Sequence, residues 1–130
     1  MSKRIYKELI KFAIKAPSGH NTQPWKFVLH ENEIQIHPDY SRMLPVVDTD
    51  NHALWISLGC ALKNMVIAGG KFGLKSKVDT ESGSGSREFI NVKLSASVEK
   101  TYDGLFDYIE ARQSTWNTYK WRKTERTRYE

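Results

Sequence analysis

The stretch "HALWISLGCALKNMVIAGG", residues 52–70, limits the architecture more than any other. From Ala53 to Ala68 apolar residues fall on nearly every side of a helix, interrupted by Ser57, Lys63 and Asn64. A helix that is apolar all round is buried in a core or in a subunit interface. A chain of 130 residues makes only a modest core and struggles to surround such a helix alone. The pattern predicts a long buried central helix at or near a dimer interface. Asp48 or Thr49 is placed to cap it, with acidic residues near the positive end of its dipole. "GGKFG" at 69–73 is the expected stop.

Around this helix the order of elements is mixed. Residues 3–15 predict a helix with Ser2 as N-cap and Ile5, Leu9, Phe12 and Ala13 at helical spacing. Pro17 ends it, because the residue before a proline is pushed out of the α region. "WKFVLH" (25–30) and "EIQIHP" (33–38) predict a hairpin joined at "ENE". "KSKVDTE" and "REFINVKLSASV" predict a second hairpin across the flexible "SGSGS" (82–86). "DGLFDYIEARQ" (103–113) predicts another helix, with Leu105, Phe106, Tyr108 and Ile109 as its apolar side. The order suggests an α+β fold, with helices on a mainly antiparallel sheet.

Composition narrows the classes. Hydrophobic residues make up 39% and charged residues 27%, which is ordinary for a globular domain. No uninterrupted apolar run is long enough for a membrane span, so none is expected. The charged start "MSKRIYKELIKF" lacks the apolar stretch of a secretory signal. Cys60, the only cysteine, reads as a buried thiol in a reducing cytoplasm. The formal charge is +5, and residues 119–130 carry Lys120, Arg122, Lys123, Arg126 and Arg128 against Glu125 and Glu130. That tail reads as a solvated terminus beyond a domain at 1–118. It contains no recognisable stacking module, so nucleic acid is not an expected partner. His30, His37 and His52 show no metal-ligand spacing, and no metal is expected.

The chemistry concentrates in "APSGHNTQPW", residues 16–25. Asn21 and Gln23 each offer an amide donor and an acceptor. They either satisfy the loop's own backbone or read a planar heterocycle with alternating donors and acceptors. Gly19 permits close approach or positive φ. Ser18 adds a hydroxyl, and Pro17 and Pro24 stiffen both ends.

"APSGHNTQPWKF" resembles the loop of the FMN-dependent nitroreductase family, alanine-proline-serine-x-x-asparagine-x-glutamine-proline-tryptophan. "RMLPVVDTDNHALWISLGCALKNMVIAGGKFG" is similar to the same family. "ARQSTWNTY" (111–119) resembles its arginine-x-serine-x-basic element through Arg112 and Ser114. The resemblance implies an α+β homodimer with FMN at the subunit interface. It implies cofactor contacts from Pro17, Ser18, Gly19, Asn21 and Gln23 of one subunit and from Arg112 and Ser114 of the other. In that picture His20 is exposed, either simply solvated or facing the substrate over the flavin. The implied activity is hydride transfer from NAD(P)H through the flavin to a nitroaromatic, quinone or similar small acceptor. No catalytic side chain is expected, because the flavin carries the chemistry.

Two departures stand against this. Trp116 occupies the position where the family has a basic residue, and family members run longer, with further sheet and phosphate contacts. The domain is thus expected to be incomplete relative to the family, and a non-catalytic flavin-binding or interaction remnant is the alternative function.

Overall fold

The computed structural model describes residues 3–83, 87–100 and 104–114. Ser2, most of the glycine-serine turn, Trp116 and the tail at 119–130 lie outside them. Helix α1 (Lys3–Ala13) buries Tyr6, Leu9 and Ala13 along one stripe, with Ile5, Ile10 and Phe12 partly buried beside it. It closes at Ala13, two residues before the expected end. The Lys15 and Ala16 N–H groups there turn back onto the Phe12 and Ala13 carbonyls at 3.2 and 3.1 Å. Such tight bonds finish a helix ahead of Pro17.

Strands β1 (Trp25–His30) and β2 (Glu33–Pro38) form the first hairpin with the boundaries read from the sequence. Asn32 takes the left-handed conformation of its two-residue turn (φ 64°). Strands β3 (Leu74–Ser82) and β4 (Glu88–Ala96) form the second hairpin. The sheet runs β1-β2-β4-β3, and each neighbouring pair is antiparallel. Register puts Ile34 opposite Val92 and Ile36 opposite Ile90, so all four point to one face. That face and α1 enclose helix α2 (His52–Lys71), which buries Leu54, Ser57, Leu58, Ala61, Met65, Ile67, Ala68 and Gly69. By length and composition α2 could also cross a bilayer, but its packing is that of a core helix. Gly73 (φ 76°) makes the turn out of it, and its N–H reaches the Gly70 carbonyl.

The sequence reading of α2's start was half right. Asp48 accepts from the N–H groups of Ala53 (2.9 Å) and Leu54 (3.0 Å), and Asp50 from that of His52 (3.1 Å). Thr49 makes no capping bond, and the residue before the helix is Asn51, left-handed at φ 57°. A buried carboxylate on two helix N–H groups is a charge-assisted cap. Asp48→Ala should lower the unfolding free energy by about 2 kcal/mol, read from urea melts.

Two further expectations are corrected. Residues 104–108 form a short 3-10 turn instead of a helix. Phe106 packs on Phe12 with ring centroids 5.0 Å apart, and Ile109 is buried, while Leu105 and Tyr108 are exposed. The two anchors are three residues apart, and three residues per turn brings them onto one line. Cys60 is only partly buried, because it lies on the side of α2 that also leaves Ile56 53% exposed.

The opposite face of the sheet is polar. Asn91 lies in the central strand β4 and is buried, donating to Glu33 (3.2 Å) and Glu81 (3.3 Å). His37 stacks on Phe89 with centroids 4.6 Å apart and shares a 2.9 Å hydrogen bond with Gln35. Burial lowers the His37 pKa below 6.5, and nearby His30 adds to the effect. The unfolded chain then takes up its proton at higher pH than the folded one. His37 therefore makes stability fall as pH drops below about 6.5. Urea midpoints between pH 7.5 and 5.5 should show that slope, and His37→Gln should reduce it.

Candidate functional site

The loop after α1 is held by its own polar atoms and by α2. Ser18 Oγ accepts from the Gln23 N–H at 3.0 Å. The Thr22 hydroxyl donates to the Gly19 carbonyl at 2.9 Å. The Gly19 N–H donates to Ser57 Oγ at 3.1 Å, and that hydroxyl donates in turn to the Ala53 carbonyl at 2.7 Å. Ser57 is 3% exposed. It interrupts the apolar pattern of α2 because it is the helix's anchor for the loop. Its signal in the sequence was a lone hydroxyl in an apolar helix.

A second brace comes from the segment after β2. Arg42 donates from Nη1 to the Thr22 carbonyl at 3.1 Å, and its Nε lies 3.6 Å from Asp39 Oδ2. Bonds from Ser41 chiefly hold the Asp39 carboxyl below its ordinary pKa, with Lys26 and Arg42 contributing. The Asp39 N–H also donates to the Pro24 carbonyl at 2.9 Å.

This bracing fixes an unusual backbone. His20, Asn21 and Gln23 take φ values of 49°, 55° and 50°, in the left-handed region. For residues with a side chain each such conformation costs on the order of 1 kcal/mol and persists only when the surroundings impose it. Of the two options read for Gly19, close approach or positive φ, it does not take the second. A Cβ there would meet Ala53 Cβ at 3.6 Å and Leu44 Cδ1 at 3.9 Å, which is ordinary contact. Gly19→Ala should thus change stability by less than about 1 kcal/mol, whereas Ser57→Ala should cost about 1–2 kcal/mol. Thermal melts of the two variants check the ordering.

The Asn21 and Gln23 side-chain amides have no hydrogen-bond partner among the described residues. Of the two readings open to the sequence, satisfaction of the loop's own backbone is therefore removed. Thr22, Ser18 and Arg42 do that work. Both amides are exposed, as is His20.

Arg112 and Ser114 meet this loop. Arg112 donates from Nη2 to the Lys15 carbonyl at 3.0 Å and from Nη1 to Ser114 Oγ at 2.9 Å. Ala16, Pro17, Ser18, Asn21, Arg112 and Ser114 line one concavity of about 310 Å³. The resemblance had put the two elements in different subunits, but here they adjoin within a single chain. On the other side of Pro17 and Ser18 a second, apolar concavity of about 220 Å³ is floored by Ala53, Ile56, Ser57 and Cys60. The sequence reading missed these α2 residues. Gln23 lines neither hollow, and the Gly19 N–H is already occupied by Ser57.

The site has a cationic corner and an apolar floor, divided by a stiff polar shelf. Among the described residues, Arg112 has further N–H donors without a partner and the Ser18 hydroxyl proton has none. That set can hold an anionic group at one end and a flat apolar body against the shelf. No group of acidic, histidine or cysteine residues among the described positions could hold a metal ion.

No family model matches the chain. It is 32% identical over 71 residues to the Mycobacterium tuberculosis protein named "Putative NAD(P)H nitroreductase Rv3131", a match covering 55% of this chain and 21% of that relative. It is 25% identical over 75 residues to "Putative NAD(P)H nitroreductase acg" from the same organism, covering 58% and 23%. The chain thus spans about a fifth of the length of these curated relatives. Among solved structures it is similar to a "putative nitroreductase in complex with fmn" from Desulfovibrio desulfuricans, with a TM-score of 0.62 and 15% identity, over 80% of this chain and 79% of that one. A "Putative NADH Oxidase" from Clostridium acetobutylicum gives the same TM-score and identity over 89% and 90%. The chain is thus similar in sequence to these curated nitroreductases over a little more than half of its own length, and it shares the fold of the solved neighbours.

Proposed function

We propose that this chain is a nitroreductase-like flavin module that binds FMN and works as an NAD(P)H-dependent oxidoreductase on a small acceptor such as a nitroaromatic or a quinone. The observation that carries the reading is the pair of partnerless amides on a braced, left-handed loop beside Arg112. Strained backbone collects at ligand sites, and exposed amides with no protein partner among the described residues leave their donors and acceptors open to a ligand. The mycobacterial relatives' names and the neighbour's bound FMN point the same way.

The residues present fit the cofactor. Arg112 would hold its phosphate with a planar guanidinium, and Ser114 and the Ser18 hydroxyl would add hydrogen bonds. Asn21, and Gln23 beyond the rim, would read a heteroatom edge. Pro17 and the exposed side of α2 would give the ring an apolar backing. FMN, once bound, supplies the hydride and electron transfer. This chain's residues then bind, orient and shield. The Ser57 bridge keeps the shelf at a fixed height over α2, and His20 stands exposed where an acceptor would approach.

The homodimer expected from the sequence belongs to this proposal. Ile56 on α2 and the exposed Met43, Val46 and Val47 are apolar surface that a second copy would cover. A cytoplasmic setting and a domain reaching residue 118 are part of the same reading.

Purified protein mixed with FMN and freed of excess should keep the flavin absorbance bands. A colourless protein overturns the flavin reading. A specific observation favours the non-catalytic alternative: the concavity beside Arg112, at about 310 Å³, is at the small end for a cofactor site. NAD(P)H oxidation coupled to nitroarene reduction rules that alternative out.

A further inference from the structure

We propose that the outer face of the sheet carries a binding site of its own, a hollow fitted to a small planar monoanion, an aromatic carboxylate.

Alternation along β1 and β2 sends Phe27, Ile34 and Ile36 toward the core and turns Lys26, Val28 and His37 the other way. On that outward side Lys26, His37, Pro38, Tyr40, Arg87 and Glu88 line a concavity of about 240 Å³. It shares no residue with either hollow beside the 16–23 loop.

Three features select the ligand. The first is an aromatic wall whose position is fixed. Phe89 stacks on His37 with ring planes 17° apart, and the 2.9 Å bond to Gln35 holds the imidazole edge. Phe89 is buried and does not line the hollow, so His37 offers it the side away from the stack. The exposed Tyr40 adds a second ring, and Val28 and Pro38 add apolar surface. Flat, rigid surfaces of this kind favour a ring as ligand.

The second feature is a pair of available cations. The Arg87 guanidinium has no partner among the described residues. Lys26 Nζ lies 3.7 Å from Asp39 Oδ1, beyond hydrogen-bond range. That oxygen already accepts from the Ser41 N–H and hydroxyl. Both cations can turn to a ligand, Arg87 with a planar fork that matches a carboxylate and Lys26 as a point charge.

The third feature is the charge balance. Burial lowers the His37 pKa, so the ring adds no charge above neutral pH. Glu88 offsets one of the two cations, and Asp39 is answered by Arg42 at 3.6 Å. The hollow keeps a single positive charge, which matches one carboxylate and not a phosphate dianion.

An amide NMR titration of the isotope-labelled full chain with sodium benzoate at pH 7.5 and fixed ionic strength reads affinity and location together. Saturable shifts should gather at residues 26–28, 37–40 and 87–89, with a dissociation constant on the order of 1 mM. Benzamide, which lacks the charge, and cyclohexanecarboxylate, which lacks the flat ring, should each bind roughly fivefold or more weakly. Arg87→Gln, a substitution at an exposed position, should weaken benzoate by roughly the same factor while leaving shifts elsewhere in the spectrum unchanged. Absence of saturable shifts up to about 20 mM benzoate overturns the proposal. So do shifts confined to residues 15–21 and 112–114, or an affinity that Arg87→Gln leaves intact. Phenyl phosphate, a dianion at this pH, binding more tightly than benzoate overturns the assignment to a carboxylate.

Discussion

Arg112→Ala will weaken FMN retention by roughly tenfold to a hundredfold while leaving riboflavin binding within about threefold. The asymmetry follows from where the guanidinium stands. It sits at one end of the 310 Å³ concavity, tied to the Lys15 carbonyl and Ser114, and its uncommitted N–H groups can address only that end. Riboflavin has the ring but lacks the phosphate, so it should not register the loss. A charge-assisted bond to phosphate contributes on the order of 2 kcal/mol, which sets the range. Fluorescence quenching of the two flavins, titrated side by side at fixed ionic strength, reads the difference. An equal loss for both would show that Arg112 holds the 15–21 loop in place and does not contact the ligand. Arg112→Lys sharpens the comparison. A lysine can meet a phosphate as a point charge but cannot reproduce the forked bonds.

Leu58→Ala will cost about 3–4 kcal/mol of unfolding free energy, a large share of what a domain of this size possesses. Leu58 is fully buried in the core cluster that joins α2 to α1 and the sheet. Truncation there loses transfer energy and leaves a cavity among residues that cannot collapse into it. The melting temperature should fall by roughly 10 °C or more. Ile56→Ala, two residues earlier, is the control. Its side chain is half exposed, so the isolated chain should lose well under 1 kcal/mol. If Ile56→Ala proves nearly as costly as Leu58→Ala, and the cost depends on protein concentration, a second copy covers that side of α2.

The fold was legible wherever one local rule acted alone. The first hairpin has clean alternation on both strands and a two-residue turn, so its boundaries fell where the pattern put them. The central helix was visible from its apolar run, and Asp48 from its place ahead of it. Reading failed where tertiary packing chose between local options. Residues 104–113 hold enough apolar side chains for a helix, but Phe106 and Ile109 turn inward while Leu105 and Tyr108 stay exposed. Asn91 alternates as an outward polar residue, yet a central strand lets its neighbours' side chains cover it.

The candidate site was half legible. The residue types of the 16–23 loop left two readings open, backbone satisfaction and amide recognition, and in the structure the Asn21 and Gln23 amides have no partner among the described residues. The conformational roles were reversed, however. Gly19 was the natural residue for positive φ, and His20, Asn21 and Gln23 adopt it instead. Ser57 holds the Gly19 N–H from 38 positions away. A bond of that range leaves no periodic trace in a sequence. Nor could spacing show that Arg112 would reach Lys15, 97 positions away.

The strand order carries a consequence for how the chain folds. Each hairpin closes locally, but the sheet becomes continuous only when β2 meets β4, across roughly fifty intervening residues that include α2. That ladder is also the shortest, pairing only residues 33–36 with 90–93. Pairing of β2 with β4 should therefore limit the folding rate, with the entropy of a long loop set against a four-residue seam. Substitutions at Ile34 or Val92 should slow folding, whereas those at the far edge of β3 should mainly speed unfolding.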